Sequence, residues 1–382
     1  MYAVDAATGK LLWRSSVDKH PSARITGAPA LYRGRLYVPV ASLEELTGSL
    51  PDYECCSFRG SVVALETTTG KQIWKTFTIT EEPLPRGPNK KGVQRVGPSG
   101  GGIWSTPTLD VNRNTLYVTT GDNYSQPATT TSDAIMAVSM DSGKVLWSRQ
   151  MTANDAWNVA CFGGDATNCP EGAGPDHDFA SPAILVDLPG GRRALVAGQK
   201  SGVVHAVDPD RQGEILWQVR LSEGGIFGGV EWGPAADGAN VYVALSDLKS
   251  NLAVVDNKVG GGVHALQLAD GKHVWTADSV PCPSDRKGCS PGHSAAVTVI
   301  PGVVFSGSLD GHLRAYSTTD GRVLWDYDTA REFETANGVP GRGGAINGPG
   351  PTIVGGMLFV NSGYGFVGQM PGNVLLAFST EP

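Results

Sequence analysis

Short runs in which apolar residues alternate with small or polar ones recur along the chain: YAVD at its start, then VVALE, VVHAVD, VHALQ and LRAYS. A period of two is the pattern of a half-buried β-strand. Upstream lie paired runs such as GAPALYRGRLYVPV, STPTLDVNRNTLYVTT and AAVTVIPGVVFSGS, each two strands folded around a Gly, Pro or Asn turn. Downstream comes a polar turn and a strand ending in Trp: DAATGKLLW at Trp13, ETTTGKQIW at Trp74 and MDSGKVLW at Trp147. The same unit returns as DPDRQGEILW at Trp217, LADGKHVW at Trp275 and TTDGRVLW at Trp325, at intervals of 61, 73, 70, 58 and 50 residues. Four antiparallel strands per repeat make a propeller blade, so an all-β propeller is expected. Six of the nine tryptophans hold one repeat position. Their large apolar rings are expected to pack each blade against the next.

Composition narrows this picture. The 382 residues include 51 Gly and 25 Pro, which serve the many turns, while 40% are hydrophobic and only 18% charged. Such a chain can bury a large core, which excludes disorder. The net charge is −7 without a block of Lys and Arg, so no nucleic-acid partner is expected. No run of about 18 apolar residues occurs, hence no membrane span. MYAVDAATGK lacks the basic and apolar regions of a signal peptide. The chain opens in a third strand (Tyr2 to Asp5) and closes in another, VLLAFS (Val374 to Ser379). A single domain over 1–382, with about six blades' worth of strands, is expected. A ring of six closed by the Trp13 strand would leave Tyr2 to Asp5 redundant, so a larger ring lacking N-terminal sequence is the preferred expectation.

The six cysteines fall in three close pairs, Cys55/Cys56, Cys161/Cys169 and Cys282/Cys289. Local, even pairing points to disulfides and an oxidising compartment; two free neighbouring thiols remain open at Cys55-Cys56. No CxxC occurs and no His stands at zinc-ligand spacing. Candidate chemistry lies in loops that break the repeat. GPSGGGIWS brings Trp104 outside the repeat position, behind glycines including Gly102 that allow close approach to a flat ligand, or simply tight packing. Glu44, Glu45 and Asp122 follow second strands of consecutive blades, as hard-cation ligands or as solvated loop acids. The segment 152–179 gathers Asp155, Trp157, Asn158, Asp176, His177 and Asp178, where a carboxylate can act as general base or belong to a polar surface loop. Lys200, in AGQKSG, is a cation for an anionic ligand or a hairpin lysine in solvent.

The Trp-terminated repeat resembles the blades of the pyrroloquinoline-quinone (PQQ) dehydrogenases, an eight-bladed family. YECCSFRGSVVAL, GPSGGGIWSTPT, AGQKSGVVHAVDPD, DTAREFETANGVPGRGG and NSGYGFVGQMPGNVLLAFS are similar to the polyvinyl-alcohol dehydrogenases of that family over essentially the whole chain. The resemblance implies oxidation of secondary alcohols to ketones, with PQQ and Ca²⁺ as cofactors, cytochrome c as electron acceptor and a periplasmic or secreted location. It implies cofactor contacts at Thr26, Gly102, Trp104 and Lys200, and metal ligands at Glu44 and Asp122. The family's catalytic Asp follows a Trp, where this chain has Asn158. Asp155 is therefore the expected base and Asn158 a substrate or metal contact. No CxxCH occurs, so no haem attachment is expected within these residues. A non-catalytic scaffold propeller, or a truncated inactive homologue, is the alternative.

Overall fold

The computed structural model describes residues 1–162, 166–248, 258–365 and 368–380. Two compact units are present: Met1–Ala183 with Asp210–Glu214, and Ile184–Pro209 with Ile215–Pro382.

The first unit begins with the strand pair Tyr2–Val4 and Leu11–Arg14. Two full blades follow. One joins Ala30–Tyr32, Arg35–Ser42, Ser61–Glu66 and Gln72–Phe77, with Ala23–Arg24 added beside the second strand. The other joins Thr108–Asp110, Thr115–Thr119, Ala134–Ser139 and Val145–Gln150. In the second unit three four-stranded sheets start at Ile184, Ala235 and Thr298, and a three-stranded sheet ends on Val374–Ser379. The described ladders of these sheets are antiparallel and follow the expected order, which makes the sheets β-propeller blades.

One expectation is corrected. Within complete blades the third strands are not half-buried: Ser61 to Leu65, Ala134 to Val138 and Val204 to Asp208 are buried on both faces, whereas Tyr2–Val4 and Val374–Ser379 alternate as expected. The small residues of these strands have a packing role. In each register the third-strand Ala stands opposite the repeat Trp: Ala3 and Trp13, Ala64 and Trp74, Ala137 and Trp147, Ala265 and Trp275, Ala315 and Trp325. A register shift follows each of these alanines.

The glycine of the xxTGK turn has an equally specific cause. Gly70, Gly143, Gly213, Gly271 and Gly321 all have φ between 69° and 74°. A Cβ on them would stand 2.4–2.8 Å from the ring of Trp13, Trp74, Trp147, Trp217 and Trp275 respectively. Only glycine meets both demands without strain. The indole N–H groups of Trp13, Trp74, Trp217 and Trp275 donate to the carbonyls of Thr67, Met140, Leu268 and Thr318 at 2.8–3.2 Å. These four tryptophans thus satisfy their one polar atom while packing their rings against the chain.

Candidate functional site

The unusual loops of the first unit converge. Gly100, Gly101 and Gly102 pass between neighbouring segments: Gly60 N–H donates to Gly100, Gly101 N–H to Asp122, and Gly121 N–H to the Gly102 carbonyl, at 2.6–2.9 Å. A Cβ at Gly60 would fall 1.8 Å from the Gly101 carbonyl oxygen, so the glycines serve backbone contact. Gly102 itself is buried, with Tyr124 and Ala41 at packing distance from where a Cβ would sit. Trp104 follows, half-buried, and its carbonyl accepts the Thr26 hydroxyl at 3.1 Å.

Asp122, Asp176 and Asp178 are buried, each offering a carboxylate oxygen within 4.8 Å of the others. Asp178 Oδ1 accepts the Asp122 backbone N–H at 2.6 Å. A Cβ on Gly121 would lie 2.6 Å from that same Oδ1 and 2.9 Å from Trp104 Nε1, so carboxylate and indole face one small space over a residue without a side chain. Asp122 Oδ2 accepts the Trp157 N–H at 3.1 Å, whereas Oδ1 has no hydrogen-bond partner among the described residues. Burial, followed by the charges of Asp178, Glu45, Asp176 and Asp155, pushes the Asp122 carboxyl well above the ordinary carboxylate range. Three ionised carboxylates at this spacing repel by about 3–4 kcal/mol per pair at an effective dielectric near 20. A hard cation with oxygen ligands removes that cost and completes the orphaned oxygen, so the donor set fits Ca²⁺.

Other sequence candidates take different positions. Glu44 opens a one-turn helix, Glu44–Thr47, and is fully buried. Its carboxylate accepts the Tyr53 hydroxyl at 2.8 Å, the Ser57 N–H at 2.9 Å and the Phe58 N–H at 2.7 Å, with His20 Nε2 at 3.3 Å. Burial opposes its ionisation, but bonds from His20, Ser57 and Phe58 outweigh it and hold the carboxyl below its usual value. Glu44 therefore grips the Cys55-Cys56 loop, while Glu45 is the neighbour whose charge reaches Asp122. Both oxygens of Asp155 accept backbone amides, from Asp176 at 3.2 Å and His177 at 2.8 Å. Asn158 Nδ2 donates to the carbonyls of Tyr124 and Asn168, both at 2.9 Å, and lies 3.9 Å from Cys55 Sγ. Lys200 is a buried residue of the second unit, in the turn after Arg193–Gly198. Cys55–Cys56, Cys161–Cys169 and Cys282–Cys289 are disulfide-bonded.

Two features escaped the sequence reading. Asp176 and Asp178 were visible only as acids in a polar loop; the Asp-x-Asp spacing beyond Gly174 was the available signal. A hairpin, Leu84–Pro88 with Gln94–Gly97, occupies what read as a loop, and it brings Arg86 and Arg95 to a cleft of about 280 Å³ beside Cys55, Ser125, Gln126 and Asn168.

Tryptophan-docked four-stranded blades define a β-propeller, here with a buried carboxylate cluster beside an indole. Residues 28–163 match the glucose/ethanol/alcohol dehydrogenase β-propeller domain family, and residues 259–381 match the family of the outer membrane protein assembly factor BamB. Polyvinylalcohol dehydrogenases from a Pseudomonas species and from Sphingopyxis are 46% and 39% identical to this chain over 99% of its length. The chain is thus similar to polyvinylalcohol dehydrogenases along nearly its whole length. It spans 60% of the length of each of those relatives. Quinohemoprotein alcohol dehydrogenase from Comamonas testosteroni shares the fold, with a TM-score of 0.67 at 20% identity over 98% of this chain and 63% of that one.

Proposed function

We infer that this chain carries the catalytic loops of a periplasmic or secreted PQQ-dependent dehydrogenase that oxidises secondary alcohols of the polyvinyl-alcohol type, passing electrons to cytochrome c. The observation that carries the reading is the buried Asp122–Asp176–Asp178 cluster with its unsatisfied Asp122 oxygen, set beside Trp104. Asp122 and Asp176 would hold a divalent cation, with Asp178 beside it and Glu45 as a nearby further charge. Trp104 offers the face on which a planar quinone stacks, supported from behind by Thr26 through the Trp104 carbonyl. Arg86 and Arg95, with Glu171 3.9 Å from Arg95, line the cleft beside Cys55 and offer it guanidinium groups for a carboxylate ligand. When bound, PQQ supplies the two-electron acceptor for the carbinol hydride and the cation supplies Lewis acidity.

The chain's own part is proton transfer and positioning. We assign the base to Asp178 in place of Asp155, because Asp178 stands at the indole while both Asp155 oxygens are committed to backbone amides. Asp178 takes the substrate hydroxyl proton; the Asp122 N–H donated to Oδ1 keeps its carboxylate oriented. Asn158 then belongs to the scaffold beneath the disulfide, tying Tyr124 to the Cys161–Cys169 loop.

Reconstitution with PQQ and Ca²⁺, followed by dye reduction with polyvinyl alcohol or a simple secondary alcohol, tests the reading. Turnover that requires both additions is expected. Binding of PQQ without turnover would mean that catalysis needs residues beyond this chain, and absence of binding would favour the scaffold reading.

A further inference from the structure

We propose that Asp155 is a positioning residue: it builds the cation site by clasping the 174–178 segment, and does not itself take part in proton transfer. The inference rests on the carboxylate cluster being the cation site. Asp155 is fully buried, and its carboxylate spans two successive amides, Oδ1 taking the Asp176 N–H and Oδ2 the His177 N–H. Those amides belong to the segment that presents Asp176 and Asp178. Its backbone extends the clasp to the other ligand strand: the Asn123 N–H donates to the Asp155 carbonyl at 3.2 Å, and the Trp157 N–H donates to the Asn123 carbonyl at 2.7 Å. The same Trp157 N–H reaches Asp122 Oδ2 at 3.1 Å. Residues 155–157 therefore sit between Asp122 on one side and the Asp176–Asp178 segment on the other.

Two further observations show that the chain is shaped for this clasp. A Cβ on Gly174 would lie 2.2 Å from Asp155 Oδ1 and 2.6 Å from its Cα, so only glycine lets the segment lie down on the carboxylate. The Gly174 N–H also donates to the Ala156 carbonyl at 3.1 Å. Asp176 has φ of 58°, a left-handed conformation that Asp tolerates at modest cost. That turn brings its amide to Asp155 and its side chain to the cluster.

The test measures cation binding directly. Tb³⁺ luminescence with Ca²⁺ competition on the full chain reads affinity without turnover. Wild type is expected to bind one ion, and Asp122→Asn to lose it. Asp155→Asn and Gly174→Ala should each weaken binding by about 10- to 100-fold, as removal of the groups that orient metal ligands does. Gly174→Ala is decisive because it keeps every charge, so a general electrostatic effect of Asp155 cannot explain it, and it serves if Asp155→Asn fails to fold. Wild-type affinity in both variants would overturn the positioning role while leaving the cation site intact. Equal binding by wild type and Asp122→Asn would overturn the cation site itself, and the role of Asp155 with it.

Discussion

Asp178 Oδ1 receives the backbone N–H of Asp122 at 2.6 Å, a bond that spans 56 residues and fixes one carboxylate of the cluster against the backbone of another. The amide orients the Asp178 carboxylate, while Asp122 is left with one oxygen facing charges of its own sign. One oxygen of Asp178 is thus held beside the Trp104 indole while one oxygen of Asp122 stays without a hydrogen bond, so the two acids differ in environment.

That difference predicts a split between two variants. Asp178→Asn should lower kcat by about 10²- to 10⁴-fold, the usual weight of a general base, with Tb³⁺ affinity falling far less than in Asp122→Asn. Asp122→Asn should be restored in part by raising Ca²⁺ toward millimolar levels. Rescue of Asp178→Asn by calcium alone would remove its role as base.

The blade repeat carries a stability prediction. Gly143→Ala must place a side chain at φ 73° and 2.7 Å from the Trp74 ring. Left-handed strain and overpacking together should cost about 2–4 kcal/mol, read as a lower midpoint in urea at unchanged slope. Gly302→Ala, at φ 85° but with open space around it, should show the strain alone and lose less. Equal losses would mean that contact with the tryptophan contributes nothing.

The repeat was legible because its rules are local. A Trp, a turn glycine and an alternating strand fall within one short stretch, and the strand limits follow from them. Full burial of the third strands within the complete blades was not legible, since a strand flanked by neighbours on both faces reads like one with a solvent face until its neighbours are known. The site was legible in its loops but not in its assignments. Glu44 and Glu45 are adjacent, and only the one-turn helix decides which grips the disulfide loop and which reaches Asp122. Asp155 and Asp178 share one loop, and the partition between clasp and base depends on a pairing with Asp122 that no nearby residue announces.

Acid should weaken the second unit through two buried histidines. Burial, with the Arg220 charge beside it, lowers His205 to about 3; burial lowers His293 to about 4, with Asp310 opposing and Arg314 adding to the shift. The folded state thus holds both neutral where the unfolded chain would protonate near pH 6.5. Their contribution is complete above that value and is lost as pH falls from about 6.5 toward 4, because the unfolded state binds more protons. His293 Nδ1 lies 3.0 Å from Ser306 Oγ, so His293→Gln keeps a polar partner without titrating. Melting temperature between pH 7 and 4.5 should fall less steeply in that variant than in wild type; parallel curves would exclude His293 as the cause.

The last prediction concerns Glu44, whose four partners all serve one loop. Tyr53, Ser57 and Phe58 flank the Cys55–Cys56 disulfide, and His20 closes the ring of donors while packing edge-on against Phe58. Phe58 stacks in turn on Tyr124, the residue that follows Asn123 beside the cluster. Removing the charge leaves two backbone amides facing a weaker acceptor at zero exposure, which costs about 1–3 kcal/mol locally. Glu44→Gln should therefore loosen the loop, and Cys55–Cys56 should be reduced and alkylated faster than in wild type, as seen by mass spectrometry of peptides after brief thiol treatment. Cys282–Cys289, in the other unit, supplies the internal reference and should react at the wild-type rate. If Glu44 instead held the cation, as the family resemblance implied, the same variant would lose Tb³⁺ affinity as Asp122→Asn does and leave the disulfide as protected as before. The two readouts point in opposite directions, so one variant separates a residue that anchors the disulfide loop from one that binds metal.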